Sequence, residues 1–135
     1  MYYHDPDRAM DWLEAAFGLT RLIEVRDKSG ALVHAEMQHD GCSIVIDGEW
    51  EDFVSSPASL KGETTQIIYV QVERDLDAHC RKARRNGPEI LSEPEEQYYG
   101  NRLYRAKDTE GHIWTFSQAV KIFGREGAEQ AGGST

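Results

Sequence analysis

The chain has 135 residues, enough to bury one core without disulfides or structural metal, and its 39% hydrophobic and 29% charged content is that of a globular domain rather than a disordered or fibrous one. Lys and Arg number 15 against 24 Asp and Glu, and the net charge of -9 repels phosphate backbones and anionic membrane surfaces while drawing cationic small molecules toward any cleft. Nucleic acid and membrane are therefore not expected partners, and the longest apolar runs, SIVI and IIYV, are too short to span a bilayer.

The chain opens on a strand around Tyr3. Asp5 or Asp7 is placed to cap a helix, Pro6 suits its first turn, and Ala9, Leu13, Ala16 and Phe17 recur at helical spacing before Gly18 stops it. RLIEVRD, LVHAEMQ and SIVID follow as strands, the last two joined by an Asp40-Gly41 turn. In LVHAEMQ, side chains two apart share a face. Val33, Ala35 and Met37 point toward the helix, so His34 and Glu36 point away from it.

Residues 48 to 65, GEWEDFVSSPASLKGETT, make a connector longer than most loops inside a compact domain, and such loops are commonly lids or binding segments. It carries Trp50 and Phe53. The strand IIYV turns Ile68, Val70 and Val72 inward, which leaves Tyr69 and Gln71 on the other face with Ile67. Asp75 then caps a helix striped by Leu76, Cys80 and Ala83, with basic residues near its carbonyl end, where the helix dipole favours positive charge. Gly87 and Pro88 end it.

EILSEP, RLYRAKD and IWTFSQ are the last strands, the final turn being Glu110-Gly111. The bend QYYGNR sets Tyr98, Tyr99 and Arg102 where one ring or the guanidinium can meet a ligand. In the last strand Trp114 and Phe116 face the helix and Thr115 faces away. AEQAGGST is a small-residue tail, expected to be mobile from residue 125 to 135. Cys42 and Cys80 read as reduced thiols of a cytoplasmic protein, since no secretory n-region or apolar h-region precedes them.

The order strand, helix, three strands occurs twice. A shift of 69 residues lays Ala9 on Ala78, Gly18 on Gly87 and Tyr3 on Val72, and a shift of 70 lays Asp40-Gly41 on Glu110-Gly111. The expected organisation is a single domain over 1–124, with modules at about 1–50 and 66–118 joined by a long loop over 51–65.

With this duplication, the stretches YHDPDRAMDWLEAAFGLT, HAEMQHDG and YGNRLYRAKDTEGHIWTF resemble the vicinal oxygen chelate superfamily, which includes glyoxalase I, extradiol dioxygenases and bleomycin-resistance proteins. The likeness covers about residues 1–118 and is closest to the small bleomycin-resistance-like members. It implies an α+β fold in which two βαβββ modules form a curved, cup-shaped mixed sheet with helices on the outer face. It also implies a homodimer with sites near the interface.

In metal-dependent relatives, His and Glu ligands come from the first and last strands of each module. The last-strand positions here are Thr115 and, by the shift of 70, Val45; the first-strand position of the second module falls near Ile67, and its counterpart precedes Met1. None is a donor suited to a divalent ion. The expectation is a metal-independent, cofactor-free binding protein with no catalytic residues, which sequesters a planar or cationic natural product. Its ligand residues would be His34, Glu36, Trp50, Tyr69, Gln71, Tyr98, Tyr99, Arg102 and Thr115. The alternatives are a glyoxalase- or dioxygenase-like enzyme with an unusual metal set of His34, Glu36 and Asp47, and a protein whose cup is mainly a partner or dimer surface.

Overall fold

The computed structural model describes residues 1–87 and 89–119; the tail expected from residue 125 lies outside the described residues. The elements are β1 (Tyr2–Tyr3), α1 (Pro6–Phe17), β2 (Thr20–Arg26), β3 (Leu32–His39), β4 (Cys42–Gly48), a 3-10 turn (Pro57–Leu60), β5 (Ile67–Gln71), α2 (Leu76–Arg85), β6 (Glu89–Glu96), β7 (Asn101–Lys107) and β8 (Ile113–Ala119). None of these helices is long and apolar enough to cross a membrane.

Local chemistry explains both helices. The Asp5 carboxylate accepts from the Arg8 N–H at 3.1 Å, Pro6 fills a position whose missing N–H costs nothing, and Gly18 closes α1 at φ 73, where a side chain would strain the backbone. Asp75 accepts from the Ala78 N–H at 3.0 Å, and Lys82, Arg84 and Arg85 sit in the last turn of α2. This second helix ends two residues before the expected glycine, Gly87. Asn86 is its cap, and the Asn86 amide also donates to the carbonyl of Ala15, tying α2 to the end of α1.

The strands form two four-stranded sheets in the same order, β1-β4-β3-β2 and β5-β8-β7-β6. In each, the first strand runs parallel to the last and the other pairs are antiparallel. The α+β class and the two βαβββ modules are thus as the sequence predicts. Each helix lies on the outer side of its sheet, against Ala35, Met37 and Ile46 in one module and Tyr104, Ala106, Trp114 and Phe116 in the other, all fully buried.

The two outer sides also meet each other. Phe17 at the end of α1 lies 4.7 Å from the Phe116 ring and 5.3 Å from the Trp114 ring, while Trp12 Nε1 donates to the Asn86 carbonyl at 3.0 Å. One core therefore serves both modules, with the helices between the sheets. The open faces are the ones turned away from the helices, and exposed Ile23, Val25 and Val45 mark one of them, Ile67 and Tyr69 the other.

Two further contacts bind the modules. The β7–β8 turn sends Glu110 to the entry of α1, where its carboxylate accepts from the N–H groups of His4 at 2.5 Å and Asp5 at 2.8 Å. The β3–β4 turn sends Asp40 to the approach of α2, accepting from the Glu73 N–H at 2.9 Å. These are matching positions of the repeat, so each module's last turn holds the start of the other module's helix. Beneath this clasp the buried Asp108 accepts from Tyr3 Oη at 2.5 Å and Trp114 Nε1 at 3.0 Å, satisfying three polar groups at once.

Candidate functional site

The open faces are where the repeat stops repeating. On the first sheet, Val45 of β4 pairs with Glu36 of β3, which pairs with Ile23 of β2. His34 lies one step along the same face, its Nε2 3.4 Å from Glu36 Oε2. Beside it, a hollow of about 490 Å³ is lined by Tyr2, His34, Asp47, Glu49 and Trp50 with the β3 end, Leu32 and Val33. Trp50 stands over this hollow 61% exposed, edge-on to Phe53 at 5.5 Å.

On the second sheet, Tyr69 of β5 pairs with Thr115 of β8, and Thr115 with Arg105 of β7. Arg105 Nε donates to Thr115 Oγ1 at 3.1 Å, which leaves Thr115 fully buried beneath it. Tyr69 is 50% exposed, and its Oη accepts from Asn101 Nδ2 at 3.4 Å, while the same amide donates to Ser117 Oγ at 3.1 Å. Gln71 is exposed one step further along, paired with Ser117. The result is a flat aromatic ring beside a hydrogen-bonded polar strip, the combination that fixes ligand pose in small-molecule sites.

His34, Glu36, Tyr69, Gln71 and Thr115 thus lie on the open faces, as alternation predicts, but Trp50 and Tyr69 do not share a hollow within one chain. Tyr98 and Tyr99 pair with each other edge-on at 5.3 Å on the exposed β6–β7 turn. Arg102 corrects the expectation most clearly. It lies on the helix side of β7, on the face of Tyr104, and its Nη2 donates to Asp77 Oδ1 on α2 at 2.9 Å. It is a brace between helix and sheet, and Arg105, which the sequence reading passed over, is the guanidinium on the open face. Counting in twos from buried Tyr104 or from Thr115's cross-strand partner finds it.

A metal ion of the family kind does not fit the residues present. The central open-face positions hold Val45 and Thr115, and among the described residues no three His, Cys, Asp or Glu side chains converge to hold an ion. His34, Glu36 and Asp47 share a face without forming such a cluster.

Another histidine belongs to the core. His79 of α2 has Nε2 2.7 Å from the Phe17 carbonyl and Nδ1 2.5 Å from Tyr104 Oη. A carbonyl only accepts, so Nε2 carries the proton and Nδ1 accepts from the tyrosine. Burial, outweighing the carbonyl's pull, lowers the pKa of His79 to about 4, and burial raises that of Tyr104. This pair is part of the packing between modules. A second hollow, of about 340 Å³, lies under the connector between Tyr2, Pro57, Leu60, Ile68 and His112 and touches none of the expected site residues.

Comparison with known proteins converges on one family. The family model described as Glyoxalase/Bleomycin resistance protein/Dioxygenase superfamily matches residues 1–116. The crystal structure of TioX from Micromonospora sp. ML1 is similar at 31% identity and a TM-score of 0.71, with 89% of this chain and 94% of that one covered. FosX of Listeria monocytogenes, a fosfomycin resistance protein crystallised with Mn(II) and a dihydroxypropylphosphonic acid, shares the fold at 16% identity and a TM-score of 0.64, covering 96% of this chain and 90% of that one. An uncharacterized protein of Mycobacterium bovis is 28% identical over 121 residues, 87% of this chain and 78% of its own length.

Proposed function

Because the chain belongs to the Glyoxalase/Bleomycin resistance protein/Dioxygenase superfamily, we propose that it binds a planar or cationic small molecule on its open sheet faces and sequesters it without a metal and without transforming it. The observation that carries this reading is the make-up of those faces. At the points where a metal would sit they hold Val45 and Thr115, and around these stand an exposed ring, Tyr69, and the acidic pair of Glu36 and Asp47. The net charge of -9 adds a long-range attraction for cations that salt screens beyond about 8 Å.

The working unit is a homodimer. Exposed Ile23, Val25 and Val45 on one face and Ile67 and Tyr69 on the other are apolar surface that a second copy covers. In this reading the first face of one copy meets the second face of the other, an arrangement whose two-fold symmetry would give two equivalent sites with Trp50 and Tyr69 supplied by different copies. Resistance by stoichiometric capture follows from such a closed hollow.

The test combines metal and ligand. Elemental analysis of protein purified under mild conditions is expected to give no stoichiometric divalent metal, and titration with planar cationic antibiotics is expected to change Trp emission, less so as salt rises. Replacing Trp50 or Tyr69 by Ala is expected to cost about 0.5 to 3 kcal/mol of binding, more where the ring is covered. One tightly held metal per chain that is lost in His34→Ala, or turnover of the bound compound, overturns the reading.

A further inference from the structure

The described strands carry four arginines, and three are neutralised by carboxylates: Arg21 by Asp11, Glu14 and Glu24, Arg26 by Asp7 and Glu24, and Arg102 by Asp77. Arg105 is the exception. In a chain with 24 acidic residues, none of the described ones lies within 4.0 Å of its guanidinium. Among the described residues its side chain makes one hydrogen bond, from Nε to Thr115 Oγ1 at 3.1 Å.

That bond does more than anchor the side chain. Engaging Nε on a buried hydroxyl fixes the guanidinium plane, and among the described residues nothing accepts from the four N–H bonds of Nη1 and Nη2. Two parallel N–H groups at the end of a fixed fork match the two oxygens of a carboxylate, an arrangement worth more than a lone point charge because little side-chain freedom remains to be lost. Tyr69 stands on the same cross-strand row, on the other side of Thr115, and supplies a flat apolar surface next to the fork.

Position in the repeat sharpens the point. Arg105 pairs with Thr115 as Glu36 pairs with Val45, so the same place in the two modules holds a cation in one and an anion in the other. We propose that the ligand is a dipolar planar molecule whose carboxylate is held end-on by Arg105 beside Tyr69, while its cationic end meets the face that carries Glu36. This rests on the reading that the open faces hold the ligand, and it narrows the ligand class from cationic to zwitterionic.

The experiment compares 2-naphthoate with its neutral isostere 2-naphthamide, titrated into the isotopically labelled full chain and followed by amide chemical shifts. The acid is expected to bind about tenfold more tightly, the size of a charge-assisted hydrogen bond, with the largest shifts at Tyr69, Arg105 and Thr115. Arg105→Gln is expected to remove that preference by weakening the acid about tenfold more than the amide, and Arg105→Lys to restore part of it. Equal affinity for the two compounds, or a preference that survives in Arg105→Gln, overturns the role of Arg105 and leaves the binding function standing. Failure of both compounds to shift any open-face residue overturns this inference, and the titration with planar cationic antibiotics decides the binding function separately.

Discussion

Each sheet has two faces, and the two have diverged to different degrees. On the helix sides, matching positions of the modules pair Met37 with Ala106, Ile44 with Trp114 and Ile46 with Phe116, apolar in every case and closely packed. On the open sides, matching positions pair Glu36 with Arg105, Val45 with Thr115 and Asp47 with Ser117. Packing tolerates changes of volume that compensate one another but not a change of polarity, since an unpaired buried polar group costs more than a small misfit. On the open faces a polar side chain finds a partner even where it is covered, Thr115 accepting from Arg105 and Ser117 from Asn101, so polarity there is free to change. A duplicated chain can therefore hold one architecture while its two walls acquire opposite chemistry.

Three comparisons test how deep this division goes. The largest effect belongs to Phe17, which is fully buried and touches the Trp12 ring of its own module and the Trp114 and Phe116 rings of the other; Phe17→Ala is expected to lower unfolding stability by about 3 to 5 kcal/mol. Tyr69→Ala on the open face is expected to stay within about 0.5 kcal/mol, and chemical denaturation of the two variants measures the contrast. Equal losses would mean that the open face is structural after all.

The next concerns pH. The fold holds His79 neutral, with its pKa lowered from 6.5 to about 4, so the unfolded chain takes up a proton over that interval and the folded chain does not. Stability should accordingly rise with pH between 4 and 6.5 and be lost on acidification. From pH 7 to 4.5 this contribution is on the order of 2 to 3 kcal/mol, from about 1.4 kcal/mol per pH unit. His79→Gln removes the titrating group, so the wild type should lose more urea resistance over the same range than the variant, and parallel losses would contradict the assignment.

The smallest effect separates the two halves of the clasp. Glu110 accepts from two N–H groups at a helix entry and Asp40 from one, so Glu110→Ala should cost about 1 to 2 kcal/mol and Asp40→Gly about 0.5 to 1. Glycine is the fair replacement at residue 40, where φ is 46 and any larger residue would add strain of its own. Thermal unfolding of both variants gives the order.

The repeat, the helix caps and the strand faces were legible because each depends on near neighbours in sequence. Asp5 before Pro6, Gly18 after Phe17 and the alternation around His34 and Tyr69 state their local consequences directly. Arg102 was misplaced for the same reason that His34 was placed correctly: strand faces alternate with every residue, and a glycine bend just before Asn101 hides the phase unless Tyr104 is used to set it. Nor does the sequence say how two amphipathic modules assemble. The same stripes of Leu13, Phe17 and Cys80 bury equally well against their own sheet alone or against each other, and the choice lies with contacts such as Phe17 on Phe116 that link residues about a hundred positions apart.

The reciprocal hold of Asp40 and Glu110 carries a consequence of a different kind. What the first half gives the second, the second gives back at the matching place, which is the definition of an isologous contact, here closed inside one polypeptide. A lone module would find its complement in a copy of itself, through the same turn and the same helix entry. The connector between the halves then serves chiefly to raise their effective concentration for one another. Two chains split within residues 51–65 and mixed should reassemble, with no partner needed beyond the sequence already present.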